Sequence, residues 1–83
     1  MRATVLVRPK QGILDPQGEA VGSSLRRLGF AVADARVGRL VDVEIDSEDP
    51  AAARAQLERM CEQLLANPLI ESYEIEVPAA PVA

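Results

Sequence analysis

Four groups of residues in this 83-residue chain have types and spacings that could do chemistry. QGILDPQG, residues 11–18, places two glycines before an apolar run, as phosphate-cradling turns do. Asp42/Glu44 and Glu74/Glu76 are carboxylate pairs two residues apart, a spacing that puts both on one face of a strand. Cys61 is the single thiol. Arg36-Val37-Gly38-Arg39 sets two cations around a glycine. Histidine is absent, which removes the usual neutral-pH base, every Ser-His triad and every histidine metal site.

None of the four survives as an active site. A phosphate loop wants lysine after its second glycine and a strand directly before it. Here no lysine follows Gly18, and Asp15 already occupies the positive helix end where an anion would sit. Cys61 falls late in an apolar helical stripe, where a thiol acts as a small hydrophobe. The paired acids face solvent, whereas a catalytic carboxyl needs burial to raise its pKa, and ladder pairs with Arg8 or Arg36 suit them better. The residues therefore give no catalytic, cofactor-binding or metal-ligating set. The two arginines read as a hairpin tip or as contacts to an acidic partner.

The elements that position these residues follow from pattern. Ala3, Val5 and Val7 alternate with Thr4, Leu6 and Arg8, predicting a strand over 3–8 that Pro9 ends. Asp15-Pro16 is an N-cap with proline at the first helical position. Val21, Leu25 and Leu28 then mark a helix over 16–28 with Gly29 at its C-cap, weakened by Gly18 and Gly22 at about 1 kcal/mol each. Residues 31–37 and 40–46 read as two strands of a hairpin at Gly38-Arg39, joined by a three-residue connection or a glycine bulge that pairs Ala35 with Val41 or Val43. Asp49-Pro50 repeats the helix-start device, and Ala53, Leu57, Met60, Cys61, Leu64 and Leu65 lay down the second apolar stripe. Asn67-Pro68 stops that helix, asparagine tolerating a left-handed cap. Residues 70–77 form the last strand, with Tyr73, Ile75 and Val77 inward.

The order βαββαβ predicts an α+β, ferredoxin-like sandwich. It has a four-stranded antiparallel sheet of order 4-1-3-2, with both helices on one face. One domain over 1–78 and a flexible tail over 79–83 are expected. The other sheet face and the edge strands stay open to another chain. The charge is divided: residues 1–41 hold seven Arg/Lys against three acids, and residues 42–83 hold ten acids against Arg54 and Arg59. The acidic balance and two aromatics disfavour nucleic-acid binding. The absence of a long apolar run disfavours a membrane span, and the lone cysteine fits the cytoplasm.

GILDPQGEAV, LRRLGF, RVGR and above all LLANPLIESYEIEV, in this order, resemble the PurS-type small subunit of phosphoribosylformylglycinamidine (FGAM) synthase, over residues 3–77. The resemblance implies a three-component ligase of purine biosynthesis. A large subunit, carrying ATP and Mg, activates formylglycinamide ribonucleotide, and a glutaminase subunit releases ammonia. The small subunit is a homodimer, with a dimer of dimers open, that bridges the two without catalytic residues or cofactors of its own. The family pattern falls on Gly12, Leu14, Asp15, Pro16, Gly18, Val21, Leu28, Gly29, Arg36, Gly38, Asn67, Pro68 and Tyr73. Pro9 and the short 29–36 segment depart from it. Lys10, Arg36, Arg39, Asn67 and Tyr73 are the expected partner contacts. Asp15, Pro16, Gly29, Gly38, Asp49 and Pro68 are expected caps and turns. A ligand-sensing ACT-like dimer shares the architecture, as does an acylphosphatase-like hydrolase. The hydrolase needs an arginine-bearing loop after the first strand, and PKQGILD has none.

Overall fold

Alternation in the first strand builds the centre of the molecule. In a computed structural model describing residues 1–78, β1 (Arg2–Pro9) is the middle of a three-stranded sheet. On one side it pairs antiparallel with β2 (Arg39–Glu44), Val5 opposite Val41 and Ala3 opposite Val43. On the other it pairs antiparallel with β3 (Glu71–Glu76), Val5 opposite Ile75 and Val7 opposite Tyr73. These partners therefore share one face, as the period of two requires, while Leu6 opposite Leu40 lies on the other. The expected tail over 79–83 lies outside the described residues.

The inner face is covered by one helix, α2 (Pro50–Met60), extended by a π-helical turn over Cys61–Leu65. Ala3, Val5, Val7, Ile45, Ala53, Leu57, Cys61 and Ala66 are buried together, with Tyr73, Ile75, Val41 and Val43 half-buried at the margin. Asp49 caps α2 by accepting the Ala51 N–H at 3.1 Å, with Pro50 at the first helical position as expected. The predicted stripe holds through Cys61 and then slips. The wider π turn carries Leu64 to 83% exposure.

Two expectations about the first half fail. Residues 31–37 form no strand, so the sheet has three strands, not four, in the order expected without its edge strand. And α1 (Pro16–Arg27) does not lie on the sheet: Val21, Leu25 and Leu28 contribute nothing to the core, and Leu28 is 73% exposed. Instead α1 runs outward and residues 30–38 run back along it, an arm leaving from the Val7/Arg39 end of the sheet. The chain measures 49 × 31 × 16 Å with a radius of gyration of 16.3 Å, against about 12 Å for a compact chain of this length.

The cause of the missing hairpin is at Gly38. The expected three-residue connection or glycine bulge needs a residue with positive φ, and among the described residues only Gly12 and Gly29 have one. Gly38 is not a turn: it passes so close to β1 that a Cβ there would collide with the Val7 carbonyl. The backbone from 31 to 44 thus enters β2 without reversing, and Ala35 meets Gly22 of α1, not Val41 or Val43. Gly18 and Gly22, read as weak points, are the two buried positions of α1 because the returning segment packs on them.

The helix ends are as the sequence indicates, with one exception. Gly29 (φ 99°) closes α1 in a Schellman motif, its N–H on Arg26 O at 3.0 Å and the Phe30 N–H on Leu25 O at 3.1 Å. Asn67 has no left-handed backbone. It initiates a turn through Pro68, its side chain accepting the Leu69 N–H at 3.1 Å and its carbonyl accepting Ile70 and Glu71.

Gly38→Ala will lower the unfolding free energy by roughly 1–3 kcal/mol, the cost of forcing an atom into filled space. In Gly22→Ala the new methyl meets Arg26 Nη1 at 3.4 Å and Ala35 Cβ at 3.6 Å. Those are near-ordinary contacts, so helix propensity gains up to about 1 kcal/mol. Urea denaturation of the two variants checks the opposite signs.

Candidate interaction surface

The polar residues singled out by sequence gather where the arm joins the sheet. Asp15 does two things there. Its Oδ1 accepts the Gly18 N–H at 3.0 Å, capping α1, and its Oδ2 accepts the Val37 N–H at 2.8 Å, tying the returning segment to the helix start. Arg36 reaches back to the carbonyls of Lys10 (2.8 Å) and Pro9 (3.3 Å). Lys10 donates from Nζ to the Pro68 carbonyl at 2.6 Å and from its backbone to Ile70.

Arg39 spans the end of the inner face beneath β1. Its two terminal nitrogens meet Glu71 at 2.6 and 2.9 Å, and one also donates to the Leu65 carbonyl. Glu71 in turn accepts the Asn67 N–H at 2.8 Å. This forked guanidinium–carboxylate pair locks β2, β3 and the turn after α2 together. Four of the five expected contact residues, Lys10, Arg36, Arg39 and Asn67, are thus neighbours. Tyr73 is not among them: it lies on the inner face opposite Val7, half-buried against the core. Sequence reading missed Glu71 entirely. Its only signal was the four-residue spacing from Asn67.

An open cleft of about 400 Å³ lies beside this cluster, walled by Pro9, Ile13, Leu14, Val37 and Ile70 with Asp15 and Glu71 at its rim. Its carboxylates do not suit acid–base work. Hydrogen bonds from Val37 and Gly18 hold Asp15 below its ordinary pKa, and the Arg39 guanidinium does the same to Glu71. Both are fully ionised at neutral pH, and both are occupied by protein donors. Burial, then Glu58 and Glu62, pushes the Cys61 thiol up, away from reactivity. Among the described residues no group of three Cys, Asp or Glu could hold a metal ion, and no helix is long and apolar enough to cross a membrane.

The outer sheet face is a ladder of exposed partners. Arg8 meets Glu74 at 2.9 Å, and Thr4 donates to Asp42 at 2.8 Å. Arg36, expected on that face, is in the arm.

The chain is a small α+β domain with a one-helix core and a projecting arm. The family model described as PurS, Phosphoribosylformylglycinamidine (FGAM) synthase, matches residues 2–79, and the chain belongs to that family. A PurS subunit of the synthase from Synechocystis is 43% identical over 79 residues, covering 94% of this chain and 77% of that protein. The crystal structure of Methanocaldococcus jannaschii PurS, one of the subunits of formylglycinamide ribonucleotide amidotransferase, superposes with a TM-score of 0.79 at 36% identity. The match covers 90% of this chain and 92% of that one. A chain in the structure of PurLQS from Thermotoga maritima gives 0.83 at 31% identity, over 92% and 95% of the two chains. Matches of that extent leave too few residues outside them to omit the arm. They lend no support to the ACT-like sensor.

Glu71 and Asp15 make stability depend on acid. Their folded-state pKa values are lowered, so each contributes stability above its ordinary value, 4.5 for Glu71 and 3.8 for Asp15. Each loses that contribution as pH falls through the folded value. Glu71→Gln will lower the urea midpoint at neutral pH, and the gap to the parent chain will close as pH falls below 4.5 and through the lowered folded-state value. Parallel urea titrations across that range are the check.

Proposed function

We propose that this chain is the non-catalytic small subunit of a three-component FGAM synthase. It bridges an ATP-dependent synthetase subunit and a glutaminase subunit and supports the passage of ammonia between them. The observation that carries the proposal is the match along nearly the whole chain to a chain of PurLQS from Thermotoga maritima. The chemical silence of the candidate surface agrees with it: the work of activating an amide oxygen and releasing ammonia falls to other chains, and ATP and Mg belong on the large subunit. The chain acts as a homodimer in the cytoplasm, with pairing of dimers as a further step. Lys10, Arg36, Arg39 and Asn67, already drawn together at the arm's base, are the patch assigned to the larger subunits, with Tyr73 behind them in the core.

Copurification tests the proposal. The tagged chain, offered the large synthetase subunit and the glutaminase with glutamine and ADP present, will retain both. The reconstituted mixture will convert glutamine-derived ammonia to product, and omission of this chain will abolish that conversion while leaving each partner folded. Failure to retain either subunit overturns the bridging role.

A further inference from the structure

The outer face of the sheet is charged along most of its length and apolar in one place. Leu6 of β1 and Leu40 of β2 stand opposite each other there, Leu6 half-buried and Leu40 58% exposed. They line an open groove of about 460 Å³ together with Arg8, Pro9, Arg36 and Arg39.

The charge of this groove sets it apart. In a chain of net charge −4, three arginines and no acid line it. The neighbouring clefts hold Asp15 and Glu71, or Asp15, Glu19 and Asp34. Acids close by are already bound: Arg8 holds Glu74 and Arg39 holds Glu71. Asp15, within electrostatic reach of Arg36, accepts the Gly18 and Val37 N–H groups. Arg36 has no carboxylate of its own. Its Nη2 donates to the Pro9 and Lys10 carbonyls, and among the described residues its other two nitrogens donate to nothing. Those carbonyls fix the guanidinium in place without neutralising it, so a held cation stands beside an exposed leucine.

We propose that this groove seats an acidic segment of one of the two larger synthase subunits. A carboxylate of that segment is taken by Arg36, and an adjacent apolar side chain lies on Leu6 and Leu40. The inference rests on the bridging role above and adds the face and the chemistry of the contact. Arginine presents a planar fork that matches a carboxylate, and an ion pair flanked by apolar surface is stronger than one in open water. Arginine beside a desolvated apolar contact is also the make-up of residues that carry protein–protein affinity. A free phosphate fits less well, because strands and the 36–38 segment build the groove and no helix N-terminus supplies N–H donors. A second copy fits less well too: an isologous contact centred here sets arginines against arginines.

Copurification of the tagged full chain with the two larger subunits tests the proposal. Leu40→Glu and Arg8→Glu alter exposed positions. Each will keep the far-ultraviolet circular dichroism and the sedimentation of the parent chain and weaken retention of one larger subunit by about tenfold or more. Retention by the parent chain will also weaken as salt rises. Phenylglyoxal will label Arg8 and Arg36 of the unmodified chain when it is free and not in the complex, which decides the question even if a variant fails to fold. A parent chain that retains neither subunit overturns the bridging role and this contact with it. A parent chain that retains both overturns the groove alone if the variants retain them equally, or if the two arginines label equally in the complex. So does a variant that changes the sedimenting mass, which assigns the groove to a second copy. Inorganic phosphate that protects both arginines in the free chain as fully as the complex does assigns it to a free anion and overturns the proposal as well.

Discussion

The contact between Gly38 and the carbonyl of Val7 governs the shape of this chain. No side chain fits there, and the backbone is held flat against β1 as it enters β2. A chain held flat cannot also reverse. The stretch before Gly38 therefore continues away from the sheet, and α1, attached to it through Asp15 and the two buried glycines, goes with it. One close approach between backbone atoms separates a closed four-stranded sandwich from a three-stranded body with an arm.

The body stands on a small core for its size. One helix covers β1 and the β3 side, and Leu57, Val5, Val7 and Cys61 are the largest fully buried side chains. A core of that size gives limited stabilisation, which raises the importance of the polar cluster at the arm's base. Arg39, Glu71 and Asn67 join two strands and a turn, and Asp15, Arg36 and Lys10 join the arm to the same end. The groups that sequence reading set aside for partners also hold the domain together. A surface fixed by such a network is already shaped before any partner arrives, which lowers the ordering cost of docking.

The same cluster explains why the domain is chemically quiet. Reactivity at neutral pH asks for a carboxylate held neutral or a thiol held ionised, and this fold does the reverse to Asp15, Glu71 and Cys61. That economy fits a chain whose relatives are subunits of a larger synthase. The fold spends its charges on shape, and leaves apolar side chains of α1 and the outer edge of β2 exposed.

Much of this was legible in the sequence, because it is decided by neighbours along the chain. Alternation placed β1, β2 and β3 and their inward faces. Asp-Pro pairs placed both helix starts, and Gly29 placed the end of α1. The tertiary structure alone decided what the strand-like segment 31–37 pairs with, where α1 lies, and that Gly18, Gly22 and Gly38 are packing positions. It alone showed that Glu71 completes the arginine pair. Pattern states which face of an element is apolar, but not what covers it. That depends on contacts between residues far apart in sequence, and here on a backbone approach that no local signal announces.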